Sequence, residues 1–110
     1  GHGAKIGPDA LLVAYSGVAG STRLGAGVTL AAKAAVLGHL ELGDGVQVGA
    51  ASVVHDDQAP GSAVTGIPAI PHRSWLKAAT AFGSLPEMVR QIRRLEARIK
   101  ALEAQVESDR

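Results

Sequence analysis

An aliphatic residue recurs at every sixth position from Ile6 to Val54: Ile6, Leu12, Val18, Leu24, Leu30, Val36, Leu42, Val48 and Val54. Four residues after most of them stands a small or β-branched side chain: Ala10, Ser16, Thr22, Val28, Ala34, Val46 and Ser52. Leu40 and Gln58 break this second series. A period of six is neither the 3.6 of a helix nor the strict alternation of a hairpin sheet. It is a hexapeptide repeat, in which short strands wind into a parallel β-helix. Three hexads close one triangular coil, so residues eighteen apart stack on neighbouring rungs roughly 4.8 Å apart. The aliphatic series points inward, and each side chain contributes roughly 1.5–3 kcal/mol on burial. Gly7, Gly25 and Gly43 then form one vertical column and Gly27 with Gly45 a second. Both are places for close packing or positive φ.

The pattern changes after the third coil. Asp56–Gly61 and Gly66–Ala69 are turn-rich, and proline cannot donate to a strand ladder. The chain therefore divides into a three-coil β-helix over 1–59, an exit loop over 60–71 and C-terminal helices over 72–110. Trp75, Leu76, Ala79 and Phe82 share one helical face, and Gly83 fits a helix stop. Ser84-Leu85-Pro86-Glu87 reads as a capping box with proline in the first turn. Over 85–107, Leu85, Met88, Ile92, Leu95, Ile99, Leu102 and Val106 alternate steps of three and four. That is a heptad seam, which predicts a coiled coil. So thin a helix needs partner helices in water, so the chain is expected to oligomerise. Leu, Ile, Ile and Val at a, with Met, Leu and Leu at d, favour two strands.

Composition narrows the function classes. The chain has 110 residues and a net charge of +1, so no global field points to nucleic acid. With no cysteine there is no disulfide and no thiolate metal site. No apolar run is long enough to insert in a membrane. The chain begins in mid-hexad, with nothing to cap the lowest coil. It reads as the C-terminal part of a longer chain, and this fragment alone is expected to fold but to be inactive.

Several stretches together resemble one family. They are Gly-His-Gly-Ala-Lys-Ile-Gly at 1–7, Val-Ala-Gly-Ser at 18–21, Gly-His-Leu-Glu-Leu-Gly-Asp-Gly at 38–45, and Thr-Gly-Ile-Pro-Ala at 65–69. Pro-His-Arg-Ser-Trp-Leu at 71–76 and the terminal heptads complete the set. The chain resembles the C-terminal portion of the UDP-3-O-acylglucosamine N-acyltransferases of lipid A biosynthesis. The resemblance implies a left-handed parallel β-helix, a homotrimer with a three-stranded tail, and a cytoplasmic setting. It also implies transfer of a 3-hydroxyacyl chain from acyl carrier protein to the 2-amino group of a UDP-sugar, without metal or cofactor.

Such chemistry needs a general base near neutral pKa and a donor for the developing oxyanion. By the resemblance His2 is the catalytic histidine, Gly20 the oxyanion donor and His39 the second histidine of the site. Spacing agrees, since Gly20 stands one coil above His2. His55 and His72 lie at the solenoid's exit and are assigned no chemistry. The resemblance places the acyl groove near Val53 and Val54. Between positions 73 and 100, Arg73, Lys77, Arg90, Arg93, Arg94, Arg98 and Lys100 are opposed only by Glu87 and Glu96. This basic stretch is either a solvated helix face or a docking surface for an acidic carrier protein, and the resemblance favours docking at Arg73, Lys77, Arg90, Arg93 and Arg94. Other readings stay open: a sister sugar-nucleotide O-acyltransferase, or a non-catalytic trimeric scaffold. A gamma-class carbonic anhydrase needs closely spaced histidines for zinc, whereas here the nearest pairs are 16 and 17 residues apart.

Overall fold

A computed structural model describes residues 1–110. The chain forms two compact units, Gly1–Leu76 and Lys77–Arg110. The first unit is a parallel β-solenoid. Its rungs are two-residue strands: β1 (Lys5–Ile6), β2 (Leu11–Leu12), β3 (Gly17–Val18), β4 (Arg23–Leu24), β5 (Thr29–Leu30), β6 (Ala35–Val36), β7 (Glu41–Leu42), β8 (Gln47–Val48) and β9 (Val53–Val54). They stack as three sheets, β1-β4-β7, β2-β5-β8 and β3-β6-β9. Ile6 pairs with Leu24, Leu24 with Leu42, and Val18 with Val36, so eighteen residues make one coil.

The six-residue series fills the interior. Leu24, Leu30, Val36, Leu42, Val48 and Val54 are buried, while Ile6 and Leu12 on the lowest coil are open. The second series also points inward: Thr22, Val28, Ala34, Val46 and Ser52 are fully buried. The two buried hydroxyls are satisfied. Thr22 donates to the Leu37 carbonyl at 2.6 Å, and Ser52 accepts the Gly66 N–H at 2.9 Å. A buried hydroxyl without a partner would cost about 1–3 kcal/mol.

The corners share one backbone device. Every sixth residue from Gly3 to Ala51 has positive φ: Gly3, Asp9, Tyr15, Ser21, Gly27, Lys33, His39, Gly45 and Ala51. Only three of these are glycine, and each other residue accepts roughly 1–2 kcal/mol of left-handed strain so that the chain can turn. The column of Gly7, Gly25 and Gly43 serves packing instead. A Cβ on Gly7 would lie 2.7 Å from the Gly25 carbonyl, and one on Gly43 would lie 2.6 Å from the Pro60 nitrogen.

The segment 60–71, expected as an exit loop, contains two further strands. β10 (Ala63–Thr65) lies parallel to β8, with Val64 opposite Val48, and β11 (Ile70–Pro71) pairs antiparallel with β10. Val64 is buried, so the core continues past residue 59. Pro60 did not end the solenoid because it sits at a corner, in the same place as Pro8, where no ladder N–H is needed. The step between rungs does change here. Gln58 stacks on Leu42 and Val64 on Val48, sixteen residues apart rather than eighteen. Two residues are missing from the corner after Val54. The Asp57 carboxylate makes up for the lost backbone acceptor by taking the Glu41 N–H at 2.8 Å, where the rung below uses the Leu40 carbonyl for Arg23.

Two helices follow, α1 (His72–Phe82) and α2 (Leu85–Ser108). His72 Nδ1 lies 2.9 Å from the Thr65 hydroxyl, and its ring stacks on Trp75 at 5.9 Å between centroids. The expected capping box does not form. Ser84, at φ −99° and ψ 1°, makes no side-chain cap; its N–H is taken by the Ala81 carbonyl at 2.9 Å, and the Glu87 carboxylate by Arg90 at 2.6 Å and Arg94 at 3.2 Å. The heptad seam of α2 is solvent-facing throughout, its residues 40% to 63% exposed.

Candidate functional site

Three turns stack at the corner that leads into the first sheet. They carry His2 before β1, Gly20 between β3 and β4, and His39 between β6 and β7. The His2 carbonyl accepts the Ser21 N–H at 3.0 Å, and the Gly1 nitrogen donates to the Val18 carbonyl at 2.6 Å. His2 is therefore held from both sides of its peptide, with its side chain in solvent. It lies directly beneath Gly20, where a Cβ would lie 2.9 Å from the His2 carbonyl oxygen. Only glycine allows this approach.

The Gly20 N–H has no acceptor within the chain. The corner amides of Ala14, Ala32, Gly38, Asp44 and Ala50 are open in the same way, and Ala26, one hexad on from Gly20, is the exception. There the equivalent N–H is occupied by the Asp44 carboxylate at 2.8 Å. An unengaged amide beside an exposed imidazole can serve as an oxyanion donor next to a general base. His39 stands a further rung up and one position around the turn, at φ 60°. Its N–H donates to the Gly20 carbonyl at 3.1 Å, and its imidazole is exposed. Two rungs separate the histidines by roughly 10 Å of rise. The structure thus brings His2, Gly20 and His39 to one edge. No cluster of three or more His, Asp or Glu side chains converges there or elsewhere.

The paired expectation at Val53 and Val54 is corrected. Val54 is fully buried in the solenoid core, because it belongs to the inward series, and it cannot line a groove. Val53, its neighbour, points out of the third sheet and is half-buried. The basic residues are all exposed, Arg73 and Lys77 on α1 and Arg90, Arg93 and Arg94 on α2. Arg90 and Arg94 share Glu87, which leaves Arg93 the cation of the three without an ion pair.

A groove of about 590 Å³ lies on the first sheet and does not hold the histidines. It runs along the first sheet past Lys5, Arg23 and Glu41 to the corner of Asp44 and Pro60. Its floor is the glycine column, so the hollow follows from side chains that coil packing forbids. The knot of Thr65, Gly66, His72 and Trp75 escaped sequence reasoning. A Cβ on Gly66 would lie 2.8 Å from Trp75 Cδ1, and this contact fixes the start of α1. The Gly-Ile-Pro signal marked the turn but not its partners.

No family model matches the chain. Curated relatives do. The UDP-3-O-acylglucosamine N-acyltransferase of Geobacter sp. (strain M21) is 51% identical over 96% of this chain. That of Anaeromyxobacter dehalogenans (strain 2CP-C) is 47% identical over 98%, and that of Syntrophus aciditrophicus (strain SB) is 52% identical over 93%. By sequence, the chain resembles one portion of the UDP-3-O-acylglucosamine N-acyltransferases. It spans 30% of the length of the first two relatives and 28% of the third. A solved perosamine N-acetyltransferase from Caulobacter crescentus aligns with 64% of this chain and 37% of its own, at 27% identity and a TM-score of 0.38. That overlap is too partial to place any residue. No helix is long and apolar enough to cross a membrane.

Proposed function

We propose that this chain supplies the acyl-transfer corner of an N-acyltransferase acting on a UDP-3-O-acylglucosamine. The donor is the 3-hydroxyacyl thioester of acyl carrier protein, and the setting is lipid A biosynthesis in the cytoplasm. The sugar's 2-amino nitrogen attacks the thioester carbonyl, and His2 takes the proton that the nitrogen gives up. The carbonyl oxygen becomes an oxyanion and is received by the Gly20 N–H. The C–S bond then breaks, the amide forms, and the carrier thiolate leaves to be protonated. His39, one rung above Gly20, orients the substrates. Val53 borders the acyl chain, the basic residues of α1 and α2 receive the carrier protein, and three copies of the chain join through the solenoid and the heptad seam. No metal or cofactor enters these steps.

The observation that carries this reading is the unengaged Gly20 N–H one rung above an exposed His2, in a chain about half identical to enzymes of that name. The test is transfer of a labelled acyl group from carrier protein to the UDP-sugar amine by the complete gene product. A labelled amide is expected. Labelling at a sugar hydroxyl would move the protein to the sister O-acyltransferases, and no labelling would sink the reading.

A further inference from the structure

Gly38 is the next residue of the column that begins His2, Gly20. It has no positive φ to explain a glycine. What it does touch is the peptide that joins the two histidines. A Cβ at Gly38 would lie 3.2 Å from the Gly20 carbonyl oxygen and 3.7 Å from Ala19 Cβ. The same carbonyl oxygen accepts the His39 N–H at 3.1 Å. Below it, Gly20 faces the His2 carbonyl across a gap too small for a side chain. A methyl group arriving from above therefore has two outcomes. It shifts the Gly20 peptide by a few tenths of an ångström, or it shifts the His39 turn by as much. Either way the distance from the candidate base to the candidate oxyanion donor changes, while the buried core is untouched.

We infer that Gly38 is a positioning residue, whose missing side chain sets the spacing between His2, the Gly20 amide and His39; the inference rests on the acyl-transfer reading above. Misplacement of this kind is costly, since about 1 Å at a reacting centre can forfeit on the order of 100-fold in rate.

The test compares Gly38→Ala with Gly17→Ala in the complete gene product. Gly17 is the control because an added Cβ there meets nothing within 4 Å. Gly38→Ala is expected to lower kcat by about tenfold or more, with KM for both substrates within about twofold. In a His2→Ala background the added loss should vanish, because spacing no longer matters once the base is gone; a merely destabilising change would keep its effect. Amide hydrogen exchange at His39 reads the displacement without turnover and should quicken in Gly38→Ala alone. Unchanged exchange with unchanged kcat overturns the inference, as does a loss that persists in full in the His2→Ala background. A wild-type protein without transfer activity sinks the functional reading instead, and exchange at His39 still decides the geometry.

Discussion

The carbonyl of Gly20 accepts the N–H of His39 at 3.1 Å, so the two candidate histidines are joined through a single intervening rung. They are not interchangeable. His2 abuts Gly20 itself, whereas His39 is anchored to its carbonyl and turned one position away. Substituting His2 by Ala in the complete gene product should lower turnover by about 10²–10⁴, the usual cost of a lost general base. His39→Ala should cost less. Steady-state kinetics with the carrier thioester decides, and a His2→Ala enzyme within threefold of wild type (roughly 0.65 kcal/mol) ends the assignment.

The exposed seam of α2 leads to an expectation about assembly. A 24-residue helix whose apolar residues are all open to water is marginal by itself. Light scattering on the purified chain should give a trimer. Leu95→Asp together with Ile99→Asp should lower the mass or the midpoint of unfolding. A stable monomer at micromolar concentration contradicts this, and a dimer would mean that the residues at a and d set the number.

Val53 and Val54 should separate cleanly. Val53→Phe should shift the preferred acyl length towards shorter chains with little change in the unfolding midpoint. Val54→Ala should instead cost about 2 kcal/mol of stability, since it empties part of a close-packed core. An acyl preference that follows Val54 and ignores Val53 would put the groove elsewhere.

Carrier-protein docking should depend on salt. Attraction between exposed charges is screened over about 8–10 Å at physiological ionic strength. Reversing Arg90, Arg93 and Arg94 together should raise KM for the carrier protein and leave that of the sugar nucleotide unchanged. Arg93→Glu alone should account for most of the change, because Glu87 already holds the other two. Equal carrier affinity in the reversed protein at low salt would reduce this face to a solvated helix.

Much of the fold was legible because a solenoid writes its register into its period. Ile6 under Leu24 under Leu42 follows from counting, and α1 and α2 follow from a change of period. The left-handed corners were legible only where glycine marks them. Lys33, Tyr15 and His39 adopt the same φ with no chemical signature, since stacking between coils imposes it from outside the local sequence. The shortened coil was hidden for a related reason. Gln58 stands in an aliphatic place, and the acceptor for Glu41 is a side chain, Asp57, that reads as an ordinary turn residue. At the site, residue spacing put His2 beneath Gly20. It could not show that the Gly20 amide lacks an acceptor, because the way the coils stack decides which corner amides stay open.

The antiparallel return of β11 onto β10 has a consequence for how these proteins coexist at high concentration. A parallel solenoid presents an open strand edge at the end of its stack, a template on which another chain could add and propagate into fibres. Here the upper edge of the second sheet is occupied by a strand of reversed direction that ends in Pro71, which has no N–H to offer. On that sheet an arriving coil would meet the wrong polarity, and one of the two strand residues has no donor. The residues that lead the chain out of the solenoid also guard it against self-polymerisation.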